Sequence, residues 1–161
     1  MQDDLKAVAS GAMGGALATA PMSLVMGGAR QAGLMGRYPP HLITEAALDA
    51  GDLLTRETGS RRALAVALHG GFGIGAGALF AVLYRRLRAY RQLPSPWGPI
   101  PQGVIFGSLV WTLSYLGWAP ALGIMPSAER DGLGRPLAMV LAHWVYGATL
   151  GLIVGRATAE G

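Results

Sequence analysis

The chain has no cysteine. That excludes a disulfide, a thiolate metal site and covalent haem attachment through C-x-x-C-H, and it leaves redox compartment unread. Charge is scarce as well: Asp, Glu, Lys and Arg make up 14% of the 161 residues. A soluble domain of this length has too much surface to be covered by so few charges. Lys6 is the single lysine among 13 basic residues, a bias that points to a GC-rich bacterial genome. No charged residue of either sign falls in 7–29, 63–84, 92–128 or 136–155.

What fills those stretches is apolar, and 25 of the residues are glycine. About 20 helical residues cross a hydrocarbon core of roughly 30 Å. The expected fold is therefore an all-α membrane protein, one domain over 1–161 with four transmembrane helices. The spans are expected at about 7–29, 63–84, 100–122 and 137–155. A signal peptide is rejected despite Ala18-Thr19-Ala20, because Asp3 and Asp4 outweigh Lys6 and the apolar run continues past Pro21. The net charge of +4 does not signal nucleic acid, since the arginines flank the apolar runs as membrane anchors do. Arg85, Arg86, Arg88 and Trp97 are the anchors at one such boundary.

The spans carry repeated phrases. His69-Gly70-Gly71-Phe72-Gly73 with Gly77, and His143-Trp144-Val145-Tyr146-Gly147 with Gly151, both read His-x-x-aromatic-Gly-x-x-x-Gly. Gly11-x-x-x-Gly15-Ala16-Leu17 in the first span corresponds to Gly103-x-x-x-Gly107-Ser108-Leu109 in the third. Residues four apart share a helix face, so each glycine pair is a smooth packing stripe. The pattern predicts a parallel two-helix repeat about an axis along the membrane normal. In the second span Gly73 and Gly77 lie on one side and Gly71 and Gly75 on the other. Two smooth faces predict that this span is central. The same glycines loosely match a dinucleotide-binding pattern, but no strand precedes and no acidic residue follows at the required distance.

Between the first two spans, about 42–57 predicts an amphipathic interfacial helix with Ile43, Ala46, Ala47, Ala50, Leu53 and Leu54 on its apolar face and Thr44 as a cap. Its acidic outer face suits packing on protein better than on anionic lipid. His41 reads as a solvated or interfacial residue. The densest arginine cluster, Arg85 to Arg91, sits in the shorter loop beside the termini, while six of nine acids lie on the other side. Both termini are accordingly expected in the cytoplasm of a bacterial inner-membrane protein.

No Asp, Glu, Lys or Arg lies mid-span, which argues against a carboxylate proton pathway and leaves no acid–base pair for an enzyme. The ionisable groups within the spans are His69 and His143. Three readings apply. Each imidazole can be polar glue across a helix interface; the two can ligate a haem iron or a metal ion; or they can form a pH-responsive contact. Met13, Met22 and Met26 carry soft thioethers of the kind that hold Cu(I), but methionine at helical spacing reads first as core filler.

The stretch Gly123-Ile124-Met125-Pro126, the motif His143-x-x-Tyr146-Gly147-x-x-x-Gly151 and Ala20-Pro21-Met22 together resemble the YagU-like small bacterial inner-membrane proteins. The resemblance implies a link to acid-stress survival and supplies no catalytic or binding residue. The expected role is a non-enzymatic accessory or interaction subunit, or a stress-related membrane protein, without a cofactor. Its partners would be the lipid bilayer and a second copy or another membrane protein. One alternative is a haem b or metal-binding redox module built on His69 and His143. Another is an oligomeric channel or transporter, lined by Thr19, Ser23, Ser108, Thr112, Ser114 and Thr149.

Overall fold

The structure, a computed structural model, describes residues 2–35, 39–50, 58–91, 97–124 and 132–159. Four helices are long and apolar enough to cross a bilayer: Asp4–Gln31, Ser60–Tyr90, Pro99–Ala121 and Gly134–Ala157. Each overruns its expected span or matches it to within a residue. Leu24, Leu79, Leu113 and Leu141 project outward from the four spans, as side chains facing lipid do. The elements are α1 (Gln2–Gln31), α2 (Pro39–Ala50), α3 (Thr58–Arg91), α4 (Pro99–Trp111), a π-helical stretch (Thr112–Trp118), α5 (Ala119–Ala121) and α6 (Gly134–Ala157).

The glycine stripes pair as antiparallel neighbours, α1 on α3 and α4 on α6. A Cβ on Gly15 would strike the Gly73 carbonyl oxygen and stand 3.0 Å from the Gly77 Cα. A Cβ on Gly103 would strike the Gly147 carbonyl oxygen and stand 3.0 Å from the Gly151 Cα. Only glycine admits backbones this close. The two pairs are offset by one turn, however: Gly11 faces Gly77 and Ala81, whereas Gly103 faces Gly147 and Gly151. A four-residue spacing permits this slip, because small residues still meet small residues one turn along.

The ends of α1 and of the third span use the same device. Gly33, at φ 72°, closes α1 with Leu34 N–H donating to Ala29 O and Gly33 N–H to Arg30 O, both at 3.0 Å. Gly123, at φ 70°, closes α5 with Ile124 N–H on Ala119 O at 2.9 Å and its own N–H on Pro120 O at 3.0 Å. Both are Schellman caps, which need a left-handed residue.

The two pairs join through α1 and α6. Gly14 of α1 faces Leu150 and Ile153 of α6, and Ala18 and Ala142 are fully buried. The expectation that the second span is central is corrected here: α6 is the most buried span and α3 lies at the side. The face of α3 carrying Gly71 and Gly75 has no neighbour among the described residues within 4 Å of an added Cβ. On the other flank α3 and α4 barely meet. Their facing residues are bulky, with Phe80 and Phe106 in tilted contact at 5.2 Å. Small residues draw α1 to α6 and aromatic ones hold α3 from α4, so the bundle is left with a crevice on one side.

Two local expectations also change. The third span is not one regular helix: it widens into π-turns before Pro120, with Gly117 at φ −105° and ψ −106°. Proline has no N–H to donate and its ring crowds the carbonyl four residues back, so the preceding turn opens. In α2, Thr44 is not a cap but a buried mid-helix residue, and it shares the inner face with Leu48 while Ala47 is exposed. The helix packs against α3. Leu53, Leu54 and the rest of 51–57 lie outside the described residues, as do Arg37, Tyr38, Met125 and Pro126.

Candidate functional site

Phe80 and Phe106 divide the crevice between α3 and α4. Toward the chain termini it is apolar, with Arg88, Trp97 and Gln102 at its rim. Arg85 of the anchor cluster pairs with Asp4 at 3.0 Å, Arg86 is exposed, and the Arg88 guanidinium sits over the Tyr84 ring at 5.8 Å. Trp97 is exposed at the same end. Toward α2 the crevice continues as a cavity of about 230 Å³. His69 and Phe72 of α3 and His143 and Tyr146 of α6 line it, with Met22 and Met26 of α1 at its side. Ser114 and Trp118 of the π-helical stretch and Ile43 of α2 complete the wall.

The helix periodicity that makes the glycine stripes also aims the histidines. Each histidine stands four residues before the first glycine of its stripe; the backbone of His143 is itself in the close contact, its carbonyl oxygen in the way of a Cβ on Gly107. His143 is buried, and its Nδ1 donates to the Met139 carbonyl oxygen of its own helix at 2.7 Å. A carbonyl can only accept, so in the neutral ring Nε2 keeps its lone pair. The Nε2 of His69 is buried and has no hydrogen-bond partner among the described residues. His143 thus bonds within its own helix through Nδ1, and the Nε2 of His69 is unmatched among the described residues.

The aromatic positions of the two phrases diverge. Tyr146 donates its hydroxyl to the Gly73 carbonyl oxygen at 2.7 Å, tying α6 to α3. Phe72, its counterpart, has no hydroxyl and is half exposed along the cavity wall. The stripes Gly73/Gly77 and Gly147/Gly151 do not pack on each other; each is occupied by its own partner helix. Sequence reasoning did not find Met139, Gly14 or the open flank. Met139 stands four residues before His143, a spacing that places both on one face of α6.

The hydroxyls expected along a channel are mostly spent locally. Thr19 donates to Gly15 O at 2.8 Å, Ser108 to Val104 O at 2.9 Å and Thr112 to Ser108 O at 2.8 Å. Ser108 also accepts from Trp144 Nε1 at 2.9 Å, joining α4 to α6. Ser114 accepts from Trp118 Nε1 at 3.3 Å.

These features define an all-α multi-pass membrane protein with a side crevice that holds two histidines. More particularly, a model of a family of unknown function, DUF6789, matches residues 5–161, and the chain belongs to that family. No curated protein and no solved structure matches it. Nothing in these matches links the chain to the YagU-like proteins that its short motifs resemble.

Proposed function

We propose that the chain is a non-catalytic binding protein of a bacterial inner membrane, built as a two-helix repeat, whose working part is the histidine cavity. The observation that carries this reading is that His69, whose buried Nε2 has no partner among the described residues, lines the same cavity as His143. Leaving a buried acceptor or donor unmatched costs about 1–3 kcal/mol, and a bound species that engages the ring removes that cost. Pockets for drug-sized ligands measure roughly 300–1,000 Å³. At about 230 Å³ this one suits an ion or a very small molecule better than the porphyrin of haem b. The local pairing of Thr19, Ser108 and Thr112 gives the transport reading little polar lining. The open Gly71 and Gly75 face of α3 leaves room for a partner chain or a second copy, which fits an accessory role.

The test is elemental analysis and a visible spectrum of the protein purified in mild detergent, before and after incubation with a panel of metal ions. Wild type is expected to take up one ion that His69→Ala and His143→Ala each lose. A Soret band lost in both variants would replace the ion with haem. Uptake unaffected by both substitutions, or no uptake at all, would defeat the reading. The same preparation, resolved by mass spectrometry, reports any protein that co-purifies.

A further inference from the structure

Three thioethers stand beside the two imidazoles. Met22 and Met26 of α1 and Met139 of α6 line the same cavity as His69 and His143. Sulfur thus comes from two helices and ring nitrogen from two. The three methionines are 7%, 2% and 5% exposed, whereas Met13 of α1 is 61% exposed. Met22 and Met26 are one turn apart and share a face. A methionine acting as filler closes a gap; these border one that stays open.

We infer that the cavity is a site for one soft monovalent metal ion of the Cu(I) or Ag(I) class, held by ring nitrogens of His69 and His143 and by methionine sulfur. The inference rests on the reading of this cavity as a binding site. Donor softness selects the ion, because thioether ligands favour Cu(I) while hard divalent ions take carboxylate and carbonyl oxygen. Charge selects it again. Among the described residues no carboxylate lines the cavity, and no cluster of three or more His, Cys, Asp or Glu is placed to hold a metal. The penalty for an ion in a low-dielectric site grows with the square of its charge, so a divalent ion with only neutral donors is far more disfavoured than a monovalent one. The Nδ1–H bond of His143 to Met139 O orients that ring, as metal-ligating histidines are commonly oriented through their other nitrogen. Met139 then contributes the carbonyl that fixes the ring and is itself a residue of the cavity wall. The ion enters and leaves without a change of oxidation state.

The experiment titrates the full-length protein in detergent with Ag(I), with Cu(I) under reducing conditions, and with Zn(II). It compares wild type, His69→Gln, His143→Gln and the double variant Met22→Leu/Met26→Leu. Leucine keeps the volume of methionine, and circular dichroism confirms that each variant is folded. The expected result is one equivalent of Ag(I) or Cu(I), weakened in all three variants by roughly tenfold or more, the scale that even outer-sphere changes cost a metal site. Zn(II) should bind more weakly and be indifferent to the methionines. Equal affinity for Zn(II), or Ag(I) binding unchanged by Met22→Leu/Met26→Leu but lost with the histidines, would overturn the soft-metal assignment and leave the histidine site standing. No binding of any of the three ions would overturn both.

Discussion

A pair of glycine-to-alanine substitutions on α3 separates the packed face from the open one. Gly77 is the perturbation on the packed face: an added Cβ would lie 2.6 Å from the Gly15 Cα and 2.8 Å from its nitrogen. Carbon atoms in good contact stand about 3.5–4.0 Å apart, so α1 and α3 must separate by roughly 1 Å and lose a quarter to a half of the dispersion attraction along the seam. Overpacking of this kind costs about 1–3 kcal/mol. Gly75 is two residues away on the same helix, and none of the described residues lies within 4 Å of its added Cβ. There alanine only restricts the unfolded backbone, which favours the helix by about 0.5–1 kcal/mol. The two variants should therefore differ by roughly 1.5–4 kcal/mol, with opposite signs relative to wild type. Equilibrium unfolding in mixed micelles, followed by far-UV circular dichroism, reads the difference. Gly147→Ala should behave as Gly77→Ala does, because its Cβ would stand 2.7 Å from the Gly103 carbonyl carbon. If Gly75→Ala destabilises as much as Gly77→Ala, the assignment of packed and open faces is wrong.

Two further outcomes follow from the same architecture. Tyr146→Phe removes the buried hydroxyl that reaches Gly73 O; a loss of about 0.6–1.5 kcal/mol is expected in the same unfolding assay, and an unchanged midpoint would mean that the bond is not formed. In the proposed inner-membrane reading, four spans put both termini on one side of the membrane, and the arginine cluster at the end of α3 assigns that side to the cytoplasm. Reporter fusions after Arg91 and at the C-terminus should then both fluoresce as green fluorescent protein fusions and both be inactive as alkaline phosphatase fusions. The reverse pattern would invert the orientation.

Much of the fold is legible in the amino-acid order because each span depends on its own residues. Hydrocarbon accepts only segments that satisfy their backbone internally, so an uncharged run of about 20 residues reads as a helix without knowledge of its neighbours. The glycines at 11, 15, 73, 77, 103, 107, 147 and 151 are legible as packing positions for a similar reason, since a four-residue spacing writes one helix face. Periodicity says that a face is smooth but not which face of which helix meets it. That is why α3, smooth on two sides, reads as central and is found at the flank. Its second face has no neighbour among the described residues, which a smooth stripe by itself does not announce. The π-turns before Pro120 escaped because a lone proline signals disruption without saying how the released carbonyls are accommodated.

The histidines show the same division at the site. Their type and depth mark them from the sequence alone as costly groups within the spans. Their shared cavity, and the methionines beside them, depend on an asymmetry that no single helix records. Small residues bring α1 against α6, while Phe80 and Phe106 keep α3 and α4 apart. The sequence by itself determined the membrane class, the four spans and the residues able to approach closely, because these are one-helix properties set by polarity and period. Only the tertiary structure decided which stripes pair, the one-turn offset between the pairs and the crevice whose wall histidines and methionines share, because those follow from competition among several side chains for the same interhelical space.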